Sequence, residues 1–200
     1  MLIDSRLKGE IWSEKITVAK ADERLRWDVI CAGTAPKTVD LTFRLLGHGS
    51  GAEISIVYLG RAQEHTDMNI RLVHDAKDTF GRITAKAALF DRSRFNLSGL
   101  IHITPKGTGA DSYFLAHALL VSPFSMAEVH PYLEIETDEV RASHGSSVGM
   151  IDKKILFYLE SRGVERARAE HMALSGFFRN STNALPEEYR KKFFQDISVI

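Results

Sequence analysis

Residues 67–121, DMNIRLVHDAKDTFGRITAKAALFDRSRFNLSGLIHITPKGTGADSYFLAHALLV, decide the fold. Four short segments, Met68–Val73, Arg82–Phe90, Asn96–Ile103 and Tyr113–Val121, are rich in β-branched or aromatic residues, and several alternate in polarity as half-buried strands do. Turn-forming residues punctuate them at Asp67, Gly81, Asn96 and Asp111, at almost equal intervals. Near-constant spacing over consecutive strands points to a structural repeat. A meander sandwich would join its strands by two-residue turns such as Asn-Gly, and no such dipeptide lies between these segments. A β-solenoid stacks each strand on the strand one coil earlier and needs irregular corners instead. The spacing therefore predicts a solenoid.

The same character continues on both sides, through Leu41–Leu46 and Ala52–Leu59 upstream and Tyr132–Ile135 downstream. Ile11–Ala19 can be a further strand, and the rest of the first forty residues is ambiguous. Past residue 150 the period changes. Asp152–Arg162 carries an apolar stripe with Asp152 as N-cap and Gly163 as stop. A second helix is expected over Glu165–Phe178, with Ala169, Met172, Ala173, Gly176 and Phe177 on one side. Pro186 opens a third over Glu187–Phe194. The chain thus divides into a β body over 1–150 and a helical subdomain over 151–200.

Composition bounds the function. The 26 basic and 26 acidic residues cancel, so a nucleic-acid-binding surface, which would show a basic excess, is not expected. No apolar run reaches the roughly 20 residues that span a bilayer, and the first ten residues lack the apolar core of a secretory signal. A cytoplasmic location without membrane contact is the expectation. The one cysteine, Cys31, excludes an intramolecular disulfide and cannot alone hold a metal cluster.

Eight histidines invite a metal reading, but none shows the helical HxxxH spacing and no cysteine accompanies them at ligand spacing. His48, His65, His74 and His102 fall at strand ends or in turns, where a solvated or hydrogen-bonded ring is expected, and His171 belongs on the helix surface. Gly47-His48-Gly49-Ser50-Gly51 lacks the lysine and spacing of a phosphate loop and reads as a flexible turn. A carbohydrate- or ligand-binding β-helix would need an open groove with clustered carboxylates, and Asp75, Asp78, Asp91 and Arg92 are the residues available for it.

Residues 132–178, YLEIETDEVRASHGSSVGMIDKKILFYLESRGVERARAEHMALSGFF, carry a longer pattern. It begins with Pro131, Leu133, Glu134, Ile135, Asp138 and Val140, passes through Ser143-His144-Gly145-Ser146-Ser147-Val148-Gly149, and continues as Leu156-Phe157-Tyr158-Leu159-Glu160-Ser161-Arg162-Gly163-Val164 to Gly176-Phe177. In that order these motifs resemble the C-terminal region of the SufB/SufD family, and weaker similarity reaches upstream through Thr108–Asp111 and Ala118–Ser122. The resemblance implies a mainly β chain: a right-handed parallel β-helix with a small C-terminal helical subdomain. It also implies a non-catalytic scaffold of SUF iron–sulfur cluster assembly that dimerises through the β-helix, as a homodimer or with a SufB-like chain. A SufC-type ABC ATPase would dock on the helices, and a cluster would form transiently at the dimer interface rather than bind stably.

His144 matches the histidine of the family's S-H-G motif, and the resemblance makes it the candidate cluster and metal ligand. The plainer alternative is a last corner in which His144 bonds a backbone carbonyl. The SufB cysteine falls near Ala116, where this chain has none, and SufB reads Glu-His-Glu-Ala where Ser143-His144-Gly145-Ser146 stands. Both departures indicate a SufD-like form. Family members are longer and carry an N-terminal helical domain not recognisable here, which points to a short one. Phe157, Tyr158, Arg162, Phe177 and Phe178 are the candidate partner contacts. With Phe193 the four aromatic residues are more ring surface than one solenoid edge covers, and exposed aromatic patches mark interfaces.

Overall fold

A computed structural model describes residues 2–4, 10–32 and 35–198. Eleven strands come first: β1 (Leu2–Asp4), β2 (Ile11–Val18), β3 (Arg24–Ala32), β4 (Thr38–Leu45), β5 (Gly51–Gly60), β6 (His65–His74), β7 (Phe80–Leu89), β8 (Arg94–Ile103), β9 (Asp111–Leu120), β10 (Met126–Ile135) and β11 (Arg141–Met150). Three helices follow, α1 (Lys153–Ser161), α2 (Arg166–Thr182) and α3 (Glu187–Ser198).

Odd-numbered strands form one sheet in the order β1-β3-β5-β7-β9-β11, and even-numbered strands form the other, β10-β8-β6-β4-β2. Every pairing is parallel. Successive strands therefore alternate between two faces, and one coil is two strands and two corners. Gly51 pairs with Phe80, Phe80 with Asp111 and Asp111 with Arg141, so each coil advances the chain by a nearly constant length. The interval between turn-forming residues in the sequence is half of that length. This is the expected parallel β-helix.

The core fills the space between the two sheets. Trp27, Phe43, Tyr58, Phe95 and Phe114 are buried there among Leu, Ile and Val side chains, and Tyr58 stacks on Phe95 at 4.4 Å. The alternation Val39, Leu41, Phe43, Leu45 in β4 places every second residue inward, as the pleat requires.

Close steric fit extends to one column of corners. Asp22, Gly49, Asp78 and Gly109 occupy equivalent corners of successive coils, each with φ between 56° and 79°. Backbone bonds link them in a column, Asp22 N donating to His48 O, Gly49 N to Lys77 O and Asp78 N to Thr108 O. The alternation of Asp with Gly has a steric cause. A Cβ on Gly49 would stand 2.2 Å from Asp22 Oδ1, and one on Gly109 would stand 2.2 Å from Asp78 Oδ1. Each aspartate fills the space its glycine neighbour leaves. The Gly47–Gly51 segment is thus a turn, as expected, but a close-packed one rather than a flexible one.

The helices dock along the outer face of the odd-strand sheet. Ile30, Val57, Leu59, Ala88 and Phe90 point outward there and meet Leu174, Phe178, Leu185, Phe193 and Ile197. The apolar run Ile56–Leu59 is legible on those terms, since it is buried on both faces. α2 buries Ala169, Leu174, Phe178, Ser181 and Thr182 rather than the expected stripe through Met172 and Gly176. Leu174 and Phe178, on one helical face, meet the sheet, and Met172 is left 44% exposed. No helix among the described residues is long and apolar enough to cross a membrane.

Candidate functional site at the open end of the solenoid

β11 carries the S-H-G motif, so the corner reading of Ser143-His144-Gly145 is overturned. The composition is turn-like, but β9 supplies a template along its whole length, with Ser143 beside Tyr113, His144 beside Phe114 and Ala116 beside Ser146. In-register residues of parallel strands share a face. Phe114, Ala116 and Ala118 are buried in the core, so Ala142, His144, Ser146, Val148 and Met150 occupy inward-facing positions of the last coil.

No further coil covers them among the described residues. β11 pairs only with β9, and β10 pairs only with β8. Positions that lie in the core one coil earlier are open to solvent here: Val148 is 43% exposed, Met150 56%, and His144 is exposed as well. His144 is thus an interior position without a roof.

Its bonding is equally unusual. Seven of the eight histidines have a polar partner. His48 pairs with Asp78, His65 with Asp67, His102 with Glu136 and His130 with Glu128. His117 bonds Ser147 and His171 bonds Ser175. His74 is fully enclosed between Thr79 Oγ1 at 2.8 Å and Ser112 Oγ at 3.0 Å. Burial pushes it down to about 4, so its ring is neutral at ordinary pH. The His144 ring alone makes no hydrogen bond or ion pair among the described residues, so it lacks the carbonyl partner of the plainer alternative.

Cys31 cannot join it. Its thiol is buried in the interior, in the column Cys31, Tyr58, Ala87, Ala118, Val148. Four strand spacings separate that column's ends, roughly 19 Å. Ala116, near the expected position of the SufB cysteine, faces inward beside Ser146 and is fully buried.

The aromatic residues divide sharply. α1 is capped by Asp152, whose Oδ1 accepts from Lys154 N at 2.8 Å, and it ends at Gly163 with φ 83°. It buries Leu156 alone. Ile155, Phe157 and Tyr158 stand 50%, 73% and 57% exposed, with Arg162 stacked over the Tyr158 ring at 5.4 Å. Phe178 is fully buried against Phe193, with ring centroids 5.0 Å apart, so it is withdrawn from the contact surface. Phe177 is half-buried, with Lys86 over its ring at 4.9 Å and donating to its carbonyl. The exposed patch is therefore smaller than the sequence suggested and lies on α1.

The residues offered for a carbohydrate groove do not meet. Asp75 accepts from Arg44 at 2.8 Å, Asp91 Oδ2 accepts from Ala62 N at 2.8 Å, and Arg92 lies over Phe124. Asp78 belongs to the corner column and pairs with His48. Asp75 follows β6 and Asp91 follows β7, which puts them at opposite corners of the coil. A groove of about 680 Å³ does lie on the outer face of the even-strand sheet, but Lys15, Asp40, Arg44, Arg71, Ser98 and His102 line it instead.

Comparison with known proteins agrees with this architecture. Residues 11–177 match the family model described as SUF system FeS cluster assembly, SufBD core domain. An iron–sulfur cluster assembly SufBD family protein of Arabidopsis thaliana, described as chloroplastic, is 27% identical over 199 residues, covering 98% of this chain and 36% of the relative. The iron–sulfur cluster assembly protein SufD of Bacillus subtilis is 28% identical over 179 residues, 90% of this chain and 40% of its own length. A SufBD family protein of Mycobacterium leprae is 31% identical over 142 residues, 71% of this chain and 16% of the relative. The chain spans well under half the length of these relatives. With its solenoid, its S-H-G strand and a family match over most of its length, the chain belongs to the SufBD family.

Proposed function

We propose that this chain is a non-catalytic scaffold for iron–sulfur cluster assembly, SufD-like, with His144 as its contribution to a cluster site shared with a second chain. The observation that carries the reading is the state of His144: an inward-facing imidazole on a rigid strand, exposed, and the one histidine without a partner among the described residues. A neutral imidazole suits iron, and a strand holds it without the entropy of a loop. One histidine cannot complete a coordination sphere, so the remaining ligands come from another chain.

The end of the solenoid supports such pairing. Among the described residues β10 and β11 each present a free strand edge, and unpaired strand edges are templates for addition of another strand. Val148 and Met150 beside that edge supply apolar surface that a partner would cover. The partner is a second copy of this chain or a SufB-like chain, and the cluster is transient cargo at their interface.

α1 gives the second contact. Its Ile155, Phe157 and Tyr158 cluster is uncovered by the described residues, and aromatic residues so placed are typical anchors of protein interfaces. A SufC-type ABC ATPase is the partner proposed for it.

The test is solution mass of the chain alone, with a SufC-type ATPase and with a SufB-like chain, followed by anaerobic reconstitution with iron and sulfide. A stable complex whose cluster absorbance disappears in His144→Ala supports the proposal. A chain that stays monomeric in every mixture and yields no cluster refutes it.

A further inference from the structure

The outer face of the even-strand sheet carries a second, unrelated cluster at the last coil. His102 in β8 and Glu134 in β10 are in register on adjacent strands and both point away from the core. Glu136, just past β10, is fixed by its N–H donating to Ile103 O at 2.9 Å. Its Oε1 lies 2.5 Å from His102 Nε2. One imidazole nitrogen and one oxygen from each carboxylate all fall within 4.8 Å of one another. Ligands at about 2.0–2.2 Å from a common ion stand no more than about 4.4 Å apart, so small side-chain rotations bring these atoms to coordinating distance.

The charge arrangement is incomplete as it stands. Two carboxylates converge at the edge of a sheet, and neither is paired with a lysine or arginine among the described residues. The Glu134 side chain has no hydrogen bond or ion pair among them. Like charges held this close are destabilising, and a cation placed between them removes the repulsion. The half-buried imidazole determines which cation. Oxygen ligands alone would suit magnesium or calcium, whereas imidazole with two carboxylates selects a divalent first-row transition ion. β10 is an edge strand with no described strand paired beyond it, so the ion has an open approach and keeps coordination positions for water.

We infer that His102, Glu134 and Glu136 form a binding site for one divalent transition-metal ion on the outer surface of the terminal coil. The site is distinct from His144, which faces the solenoid interior on the other sheet, and it stands on geometry alone, without the assembly role. Its ligands reside on two neighbouring rungs of the ladder, so the bound ion also clips β10 to β8 at the free end.

Titration of the whole protein with Co2+ alone, followed by its visible ligand-field absorption, tests this. The expected result is saturation by one ion assigned to this cluster, roughly tenfold or more weaker in His102→Ala and in Glu134→Gln, and unchanged in His144→Ala. Far-UV circular dichroism confirms that each variant is folded, and the second variant serves if the first is not. Three results would overturn the inference: no Co2+ absorption in the wild type, unchanged affinity in both cluster variants, or displacement of Co2+ by an equal concentration of Mg2+.

Discussion

Gly99→Ala should destabilise the protein strongly, because the space for a methyl group at that position is already occupied by a ring. Gly99 lies in β8 on an inward-facing position, in register with Ile70 and Pro131. A Cβ there would stand 1.9 Å from Phe114 Cε1 and 2.4 Å from Cζ. Phe114 is fully buried and cannot swing into solvent. Relief requires moving the ring or the strand, and overpacking of this kind costs about 1–3 kcal/mol. Phe114→Leu removes the obstructing ring edge and costs about 1–2 kcal/mol by itself through lost apolar burial. Since the two changes answer one another, the double variant should be more stable than the sum predicts by ~1 kcal/mol or more. Urea unfolding of the four proteins gives these differences directly from midpoints and slopes. The shared-space explanation is refuted if Gly99→Ala costs less than about 0.5 kcal/mol, the usual range of a surface change, or if the two effects simply add.

The other expectations concern the site and its surroundings. His144→Ala should leave thermal stability unchanged, since the ring makes no bond to lose, while abolishing reconstitution of a cluster; a large fall in Tm would mean a structural role instead. Phe157→Ala together with Tyr158→Ala should weaken capture of the SufC-type ATPase by a factor of ten or more, at about 1.4 kcal/mol per decade, with little change in melting behaviour. For His74 the sign follows from its depressed folded value of about 4 against an ordinary value near 6.5. Above pH 6.5 both states are neutral and stability is full. Between 6.5 and 4 only the unfolded chain takes the proton, and stability falls by on the order of 3 kcal/mol. Urea midpoints at pH 7 and pH 5 should show the drop in the wild type and a much shallower one in His74→Gln, and equal slopes in the two proteins would contradict this.

Much of the architecture was legible because a solenoid repeats its local rules. The regular interval between turn-forming residues is the path length of one strand plus one corner, so it survives in the sequence even where individual strands are weak. β3 and β11 were harder to read for different reasons. β3 lies in the ambiguous first forty residues, and its inward Trp27, Val29 and Cys31 alternate with outward Asp28 and Ile30, so its apolar content shows no clean period. β11 has the composition of a turn and is extended because β9 offers it a complete ladder, a tertiary cause that propensity does not contain. The motif around His144 was found through resemblance, but its exposed inward position depends on where the coils stop. The division of the aromatic residues depended on docking: Phe177 and Phe178 are neighbours in sequence, yet Phe178 is fully buried in the helix–sheet cluster and Phe177 only partly packed against it. The cluster at His102, Glu134 and Glu136 left a weaker trace. Its histidine and its carboxylates are separated in sequence by one full coil, a relation recognisable only once the coil length is known.

The column of Asp22, Gly49, Asp78 and Gly109 gives the solenoid a parity. Excising the coil that contains Gly49 would bring Asp22 against Asp78, two negative groups with no vacancy to receive either, whereas excising the neighbouring coil would bring two glycines together and leave a hole. Removing both restores the original sequence of large and small. This corner therefore favours lengthening or shortening of the β-helix by pairs of coils, and an inherited change of a single coil would leave its mark as a compensating substitution in that column.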